Sequence, residues 1–225
     1  MTLIIAAQGD DFVVVGADTR ETVDAGAIRV EVNIAEKLVR LTNHAAVLFC
    51  GEAGYAQNLI AQYRGRIARR RELGITQLTQ DFASFCQEEA MRLRDVPTFS
   101  RTPPHTYFPD IGFVLGGLNK VDGKFSRPSC YGLSSWRGYR LELGGEGFVI
   151  GGKYMLARYL FSKNYKADMD VETLSDLVLR CLFDTSRVDG DVGGKYRLAI
   201  IDSKETRTKT EEEIEQMIEG ANLRW

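Results

Sequence analysis

An α+β fold, with helices on the outer sides of two packed sheets, is what this sequence predicts. Three observations carry the expectation. Apolar runs of strand length follow one another across short Gly/Asp turns, segments with helical apolar spacing come in pairs, and the pairs alternate with groups of strands. Strands, two helices, strands, two helices and a strand fit a four-layer αββα sandwich. The 225 residues, 44% hydrophobic and 27% charged, suit a single domain over 1–225.

The elements follow in order. Thr2 to Ala7 and Phe12 to Ala17 flank the turn Gly9-Asp10-Asp11, and their continuous apolar character predicts burial on both faces. Ala27 to Val32 and Lys37 to Leu41 read as a second strand pair, and Ala45 to Cys50 as a strand ending at Gly51. Ala56, Leu59, Ile60, Tyr63 and Ile67 recur at helical spacing. In the next helix Thr76 is the expected N-cap, ahead of the stripe Leu78, Phe82, Phe85 and Cys86. Arg101-Thr102-Pro103-Pro104 breaks the pattern. Strands resume at Ile111 to Leu118, Ser129 to Leu133 and Tyr139 to Leu143. Phe148 to Ile150 leads through Gly151-Gly152 into a helix at about Lys153 to Ser162. Leu174, Leu177, Val178, Cys181 and Leu182 mark a helix from Val171 to Thr185, Tyr196 to Ile201 a buried strand, and Glu211 to Glu219 a short helix within an exposed C-terminal segment, 205–225.

Composition removes several classes of function. A net charge of −2 gives no reason to expect nucleic acid or an anionic membrane as partner. Arg69-Arg70-Arg71 reads as the solvated end of a helix, with a subunit contact as the alternative. Asp10 and Asp11 interrupt the opening apolar stretch as no signal peptide would, and no run approaches the roughly 20 apolar residues of a membrane span. Cys50, Cys86, Cys130 and Cys181 are far apart in apolar context, the pattern of free thiols in a reducing cytoplasm. With His44 and His105 as the only histidines, a metal site or a histidine-based triad has little support, and no cofactor is expected.

Chemistry enters at Thr2. Removal of Met1 would leave an α-amine beside a hydroxyl, and a neutral amine can take the hydroxyl proton. An α-amine titrates at roughly 7.7–8.0, so a usable fraction is neutral near pH 7. Asp18-Thr19-Arg20-Glu21-Thr22 closes a strand about sixteen residues further on. It is followed by Lys37-Leu-Val-Arg-Leu, by Ala45-Ala-Val-Leu-Phe-Cys-Gly51-Glu-Ala-Gly54, by Phe148-Val-Ile-Gly-Gly and by Asp189-Gly-Asp-Val-Gly193-Gly194. Taken singly, Asp18 is a turn residue, Lys37 a solvated strand lysine and Gly51 a glycine before a helix. In joint order and spacing they resemble the β-type subunits of the proteasome, which are N-terminal nucleophile hydrolases. A start directly at the first strand, without the long leader of the α-type, favours the β-type.

The resemblance implies a threonine peptidase. Thr2 would be the nucleophile and its amine the base. Lys37 would stay protonated beside the hydroxyl, Asp18 would hold the lysine, and the backbone N–H of Gly51 would stabilise the oxyanion. Asp189 would belong to the same catalytic set. The backbones of Thr22 and Gly51 would flank an extended peptide, and Phe49 would shrink the first specificity pocket. Arg20 reads as a structural ion-pair partner. Partners implied are a peptide or unfolded protein as substrate, identical subunits in stacked rings, and an ATP-dependent unfoldase, all in the cytoplasm. Two positions depart from the family. The turn Gly151-Gly152 lacks a serine, and Val192 stands where a hydroxyl residue is usual. Both hydroxyls would orient the amine, so slow turnover is expected, with acceleration when they are restored at Gly152 or Gly151 and at Val192. The alternatives are a non-catalytic scaffold subunit, or an amidase or acyl transferase with the same nucleophile.

Overall fold

The computed structural model describes residues 2–25, 28–33, 35–69, 73–94 and 109–220. Met1, Arg70, Arg71, the break at 101–104 and His105 lie outside them, as does 221–225. The described chain is mixed α/β. One antiparallel sheet contains β1 (Leu3–Gln8), β2 (Val13–Asp18), β10 (Phe148–Gly152), β11 (Tyr196–Ile201) and β12 (Thr206–Thr208), in the order β10-β1-β2-β11-β12. The second contains β5 (Leu38–Thr42), β6 (Ala45–Gly51), β7 (Ile111–Val121), β8 (Lys124–Ser134) and β9 (Glu142–Leu143), in sequence order. β3 (Glu21–Ala25) and β4 (Ile28–Val32) form a separate two-stranded ribbon.

The apolar runs are explained by three clusters. Along β1, Leu3, Ile5 and Ala7 join a cluster with α3 (Tyr154–Asn164), α4 (Val171–Val188) and α5 (Glu211–Gly220), while Ile4 and Ala6 join one shared by both sheets. Alternate residues therefore meet two different cores, and neither face of the strand reaches water. The third cluster packs the outer face of the second sheet against α1 (Ala53–Ile67) and α2 (Ile75–Arg94). The helical stripes read from the sequence supply it: Leu59, Ile60, Tyr63, Leu78 and Phe82 are at most 2% exposed.

Several expectations need correction. The strand from residue 28 pairs back with β3, Thr22 opposite Glu31, and not with the lysine strand, which pairs with β6. Thr76 lies inside α2. Its N–H is capped by Asn119 Oδ1 at 3.0 Å, and its hydroxyl meets Tyr131 OH at 2.6 Å. Tyr139 is no strand residue but sits buried at φ +55° after a 3-10 turn, Ser135–Arg137, and only Glu142–Leu143 pair with β8. Residues 205–220 are exposed at most positions yet dock through one face. β12 pairs with β11, Thr206 is buried, and Ile214 enters the cluster under α5. The reason lies in its own spacing, since Ile214, Met217 and Ile218 share one helix face.

α4 matters for the site through its ends. Asp170 caps the start, accepting from Thr173 N at 2.7 Å. At the far end the Asp189 N–H closes on Thr185 O, which delivers the loop from Asp189 to Lys195 to the C-terminal end of β2.

Candidate active site

Thr2 stands one residue before β1. Its side chain shares parity with Ile4 and Ala6, so it faces the space between the sheets and not the helices. There it lines a cavity of about 560 Å³ with Cys50, Gly51, Phe113, Gly151 and Gly152. The residue is 5% exposed. Its carbonyl accepts from Lys153 N at 2.9 Å, and the next N–H, of Leu3, donates to Asp18 Oδ1 at 3.0 Å.

Asp18, the last residue of β2, is fully buried and collects four donors. These are Leu3 N, Arg20 N at 3.2 Å, Gly193 N at 3.1 Å and the Lys37 ammonium at 3.0 Å. Lys37, 2% exposed, also donates to Arg20 O, and its own carbonyl accepts from Phe49 N on β6. The pair therefore bridges the two sheets directly behind the Thr2 backbone. Burial pushes the Lys37 ammonium below the ordinary lysine range and the Asp18 carboxyl above its ordinary value, while their mutual attraction pulls each back.

Gly51 ends β6 at φ +94°, where a Cβ would overlap the Asp110 carbonyl oxygen. The backbone there presents no side chain toward the cavity. Thr22 contributes backbone in β3, and the described strands pair β3 only with β4. Asp189 does not reach Asp18. Its Oδ1 accepts from Asp191 N at 3.0 Å, and Oδ2 pairs with Lys153 Nζ at 3.3 Å. Arg20 lies over the same loop, with Nη1 donating to Gly190 O at 2.6 Å.

The structure thus places Thr2 and Gly51 on the lining of the cavity with the Asp18–Lys37 pair behind the Thr2 backbone, and joins Asp189 to Thr2 through Lys153. Phe49 is placed elsewhere. On β6 it shares parity with Ala45 and Val47, whose side chains meet α1 and α2, and it is 1% exposed in that core. Its neighbour Cys50 lines the cavity instead. Burial pushes the Cys50 thiol up to about 11, so it stays protonated and a poor nucleophile. His44 is occupied with Asp202 O at 3.1 Å and with the Phe125 ring.

The two departures also take a definite form. Val192 is fully buried in the cluster of α3 and α4. Gly152 has φ +83°, and a Cβ there would overlap the Thr2 carbonyl oxygen. Restoring hydroxyls at these positions is therefore expected to harm the fold and not to speed the reaction. Val192→Ser should cost about 2–4 kcal/mol through lost burial and an unsatisfied hydroxyl, and Gly152→Ser at least about 1–3 kcal/mol through strain. Urea denaturation checks both. A serine variant as stable as the parent and faster in peptide cleavage contradicts this geometry.

Comparison with known families now bears on the same residues. Residues 2–99 match the model of the proteasome subunit family. That stretch is of proteasome-subunit type. The matched residues run from Thr2 through α2 and include Asp18, Lys37 and Gly51, whereas Lys153, Asp189 and Val192 lie beyond the match. No curated protein matches the chain. Among the described residues, no helix is long and apolar enough to cross a membrane.

Lys153, Asp191 and the Gly193 N–H are neighbours of these residues that the sequence reading missed. A lysine opening a helix and an acidic loop residue carry no signal of their own. The one clue was the Gly193-Gly194 pair after Asp189, which marks backbone close to something.

Proposed function

We propose that this chain is a threonine peptidase of the proteasome type, one domain over 1–225 with a four-layer αββα arrangement. It would act on peptides or unfolded chains inside a ring of identical subunits. The observation that carries the proposal is the buried Asp18–Lys37 pair, tied by the Leu3 N–H to the residue next to Thr2. A charge pair this deeply buried contributes little net stability, so its presence beside a hydroxyl that faces a cavity suits chemistry better than architecture.

With Met1 removed, the reaction runs as follows. The neutral Thr2 amine takes the Oγ proton through a water as Oγ bonds to the scissile carbonyl carbon. The Lys37 ammonium lowers the cost of negative charge on Oγ, and the Gly51 N–H receives the charge on the carbonyl oxygen. The proton then passes to the departing peptide nitrogen as the C–N bond breaks, leaving an ester on Thr2. Water attacks the ester, Oγ regains a proton and the acid product leaves. An extended substrate would add as a strand between the backbones of Thr22 and Gly51.

The test is covalent. The intact mass of the native protein should lack one methionine, and a peptide epoxyketone should add once, its fragment mapping to both Oγ and the amine of Thr2. Met1-free protein that gains no adduct refutes the peptidase. It would favour an assembly subunit, the reading that the hydroxyl-free geometry at Gly152 and Val192 supports.

A further inference from the structure

Lys153 occupies the joint between β10 and α3. The β1–β10 register places Leu3 opposite Gly152, and one step further Lys153 N donates to Thr2 O at 2.9 Å. Thr2 and Lys153 are therefore neighbours across the end of the sheet. The Lys153 ammonium reaches Asp189 Oδ2 at 3.3 Å and Asp191 Oδ2 at 3.4 Å. Asp189 is fixed as the residue closing α4, and its other oxygen accepts from Asp191 N. One cation and two carboxylates are thereby gathered beside the point where the Thr2 amine would emerge.

We propose that Lys153 is a positioning residue for that amine, its ammonium holding Asp189 and Asp191 in a fixed arrangement that orients the amine and its bridging water. The proposal rests on the reading of Thr2 as nucleophile. Two facts favour this role over a structural one. The three side chains are 31%, 28% and 16% exposed, and ion pairs this open to water add little to stability. Two alternative means of orienting the amine are closed, because Gly152 has no room for a side chain and Val192 is turned into the core. Contact with Asp189, then with Asp191, holds the Lys153 ammonium above its ordinary value, so it keeps its charge while the amine titrates.

The sign of the effect on the amine follows from the charges. The three groups together carry one net negative charge. Removing the lysine leaves two carboxylates, which favour the protonated amine and raise its pKa; removing one carboxylate does the reverse. The other charges around this loop are the Arg20 guanidinium, on Gly190 O, the Lys195 ammonium, paired with Glu211, and the Asp18–Lys37 pair, reached through the Gly193 N–H. None of the variants below substitutes them.

The experiment follows kcat/KM for a fluorogenic peptide against pH, using Met1-free parent, Lys153→Met, Lys153→Arg and Asp191→Asn. Lys153→Met should lose roughly 10–100-fold at neutral pH, within the range of general-base positioning. Its acid limb should move up by about one pH unit, and that of Asp191→Asn should move down. Lys153→Arg should leave the limb in place, and all three should melt within about 2–4 °C of the parent. An unmoved limb in Lys153→Met overturns the proposal whatever the rate does, as do limbs that move the same way in Lys153→Met and Asp191→Asn. Failure of an epoxyketone to label the parent at Thr2 instead overturns the peptidase reading and this proposal with it. Labelling with an unmoved limb overturns this proposal alone.

Discussion

Thr2→Ala protein should fold as the parent does and cleave no peptide. The fold does not depend on the Thr2 side chain. β1 is held by Leu3, Ile4 and Ile5, which are fully buried, and by the carbonyl of Thr2, which alanine retains. The stability change should stay within about 1 kcal/mol, the ordinary range for a substitution that breaks no cap, core contact or buried pair. Chemistry is another matter, because in the proposed reaction the hydroxyl oxygen bonds to substrate. Its loss should lower kcat by roughly 10³–10⁶-fold, as for other nucleophiles that act as part of a unit. No neighbouring group can replace it, since burial keeps the Cys50 thiol protonated to about pH 11. Thr2→Ser keeps the hydroxyl but loses the methyl that restricts its rotamers, so it should remain active within about tenfold to a hundredfold. Turnover of a fluorogenic peptide and a thermal melt decide the matter. Parental turnover by the alanine variant would remove Thr2 from the mechanism.

Much of the fold was legible because strand and helix periods are written in apolar side chains. The run from Thr2 to Ala7 predicts burial on both faces, and β1 has it. The same continuity hid the parity of Ala45 to Cys50. An unbroken apolar strand does not tell which residues face the helices, and Phe49 and Cys50 prove to face opposite cores. Long-range capping was equally silent, since the Thr76 N–H donates to Asn119 Oδ1, on β7. The pairing of residues 28–32 was misread because β3 is short and polar, Glu-Thr-Val-Asp-Ala, and carries no apolar alternation. At the site, Asp18, Lys37 and Gly51 were recognisable from their order. Lys153 was not, because only the register of β1 against β10 brings it to Thr2.

The Asp18–Lys37 pair should show the largest combined loss of stability and activity. Asp18→Ala strips the acceptor from the Leu3 and Gly193 N–H groups, removes one of the two acceptors of Arg20 N–H, which keeps Gly193 O, and leaves the Lys37 ammonium buried without its counter-charge. Breaking such a pair costs about 3–5 kcal/mol. Lys37→Met removes one donor of four and leaves Asp18 its backbone partners, so it should cost less stability while losing as much turnover as Thr2→Ala. In the double variant the orphaned ammonium is gone, and its stability loss should fall short of the summed single losses by at least about 1 kcal/mol. Additive losses in urea denaturation would mean that the two groups do not act as a pair. The pH dependence carries a sign as well. Burial lowers the Lys37 pKa in the folded state below its unfolded value, so the charged lysine is a stability cost at neutral pH. That cost is relieved as pH rises through the folded pKa toward the ordinary lysine value, because there the unfolded chain binds more protons. Activity should move the other way. Once Lys37 loses its proton, nothing offsets the charge growing on Thr2 Oγ, so the alkaline limb of kcat should fall below the ordinary lysine range, in a protein that is not unfolding there. An alkaline limb at the ordinary lysine value or above would show that Lys37 is not the group whose proton the reaction needs.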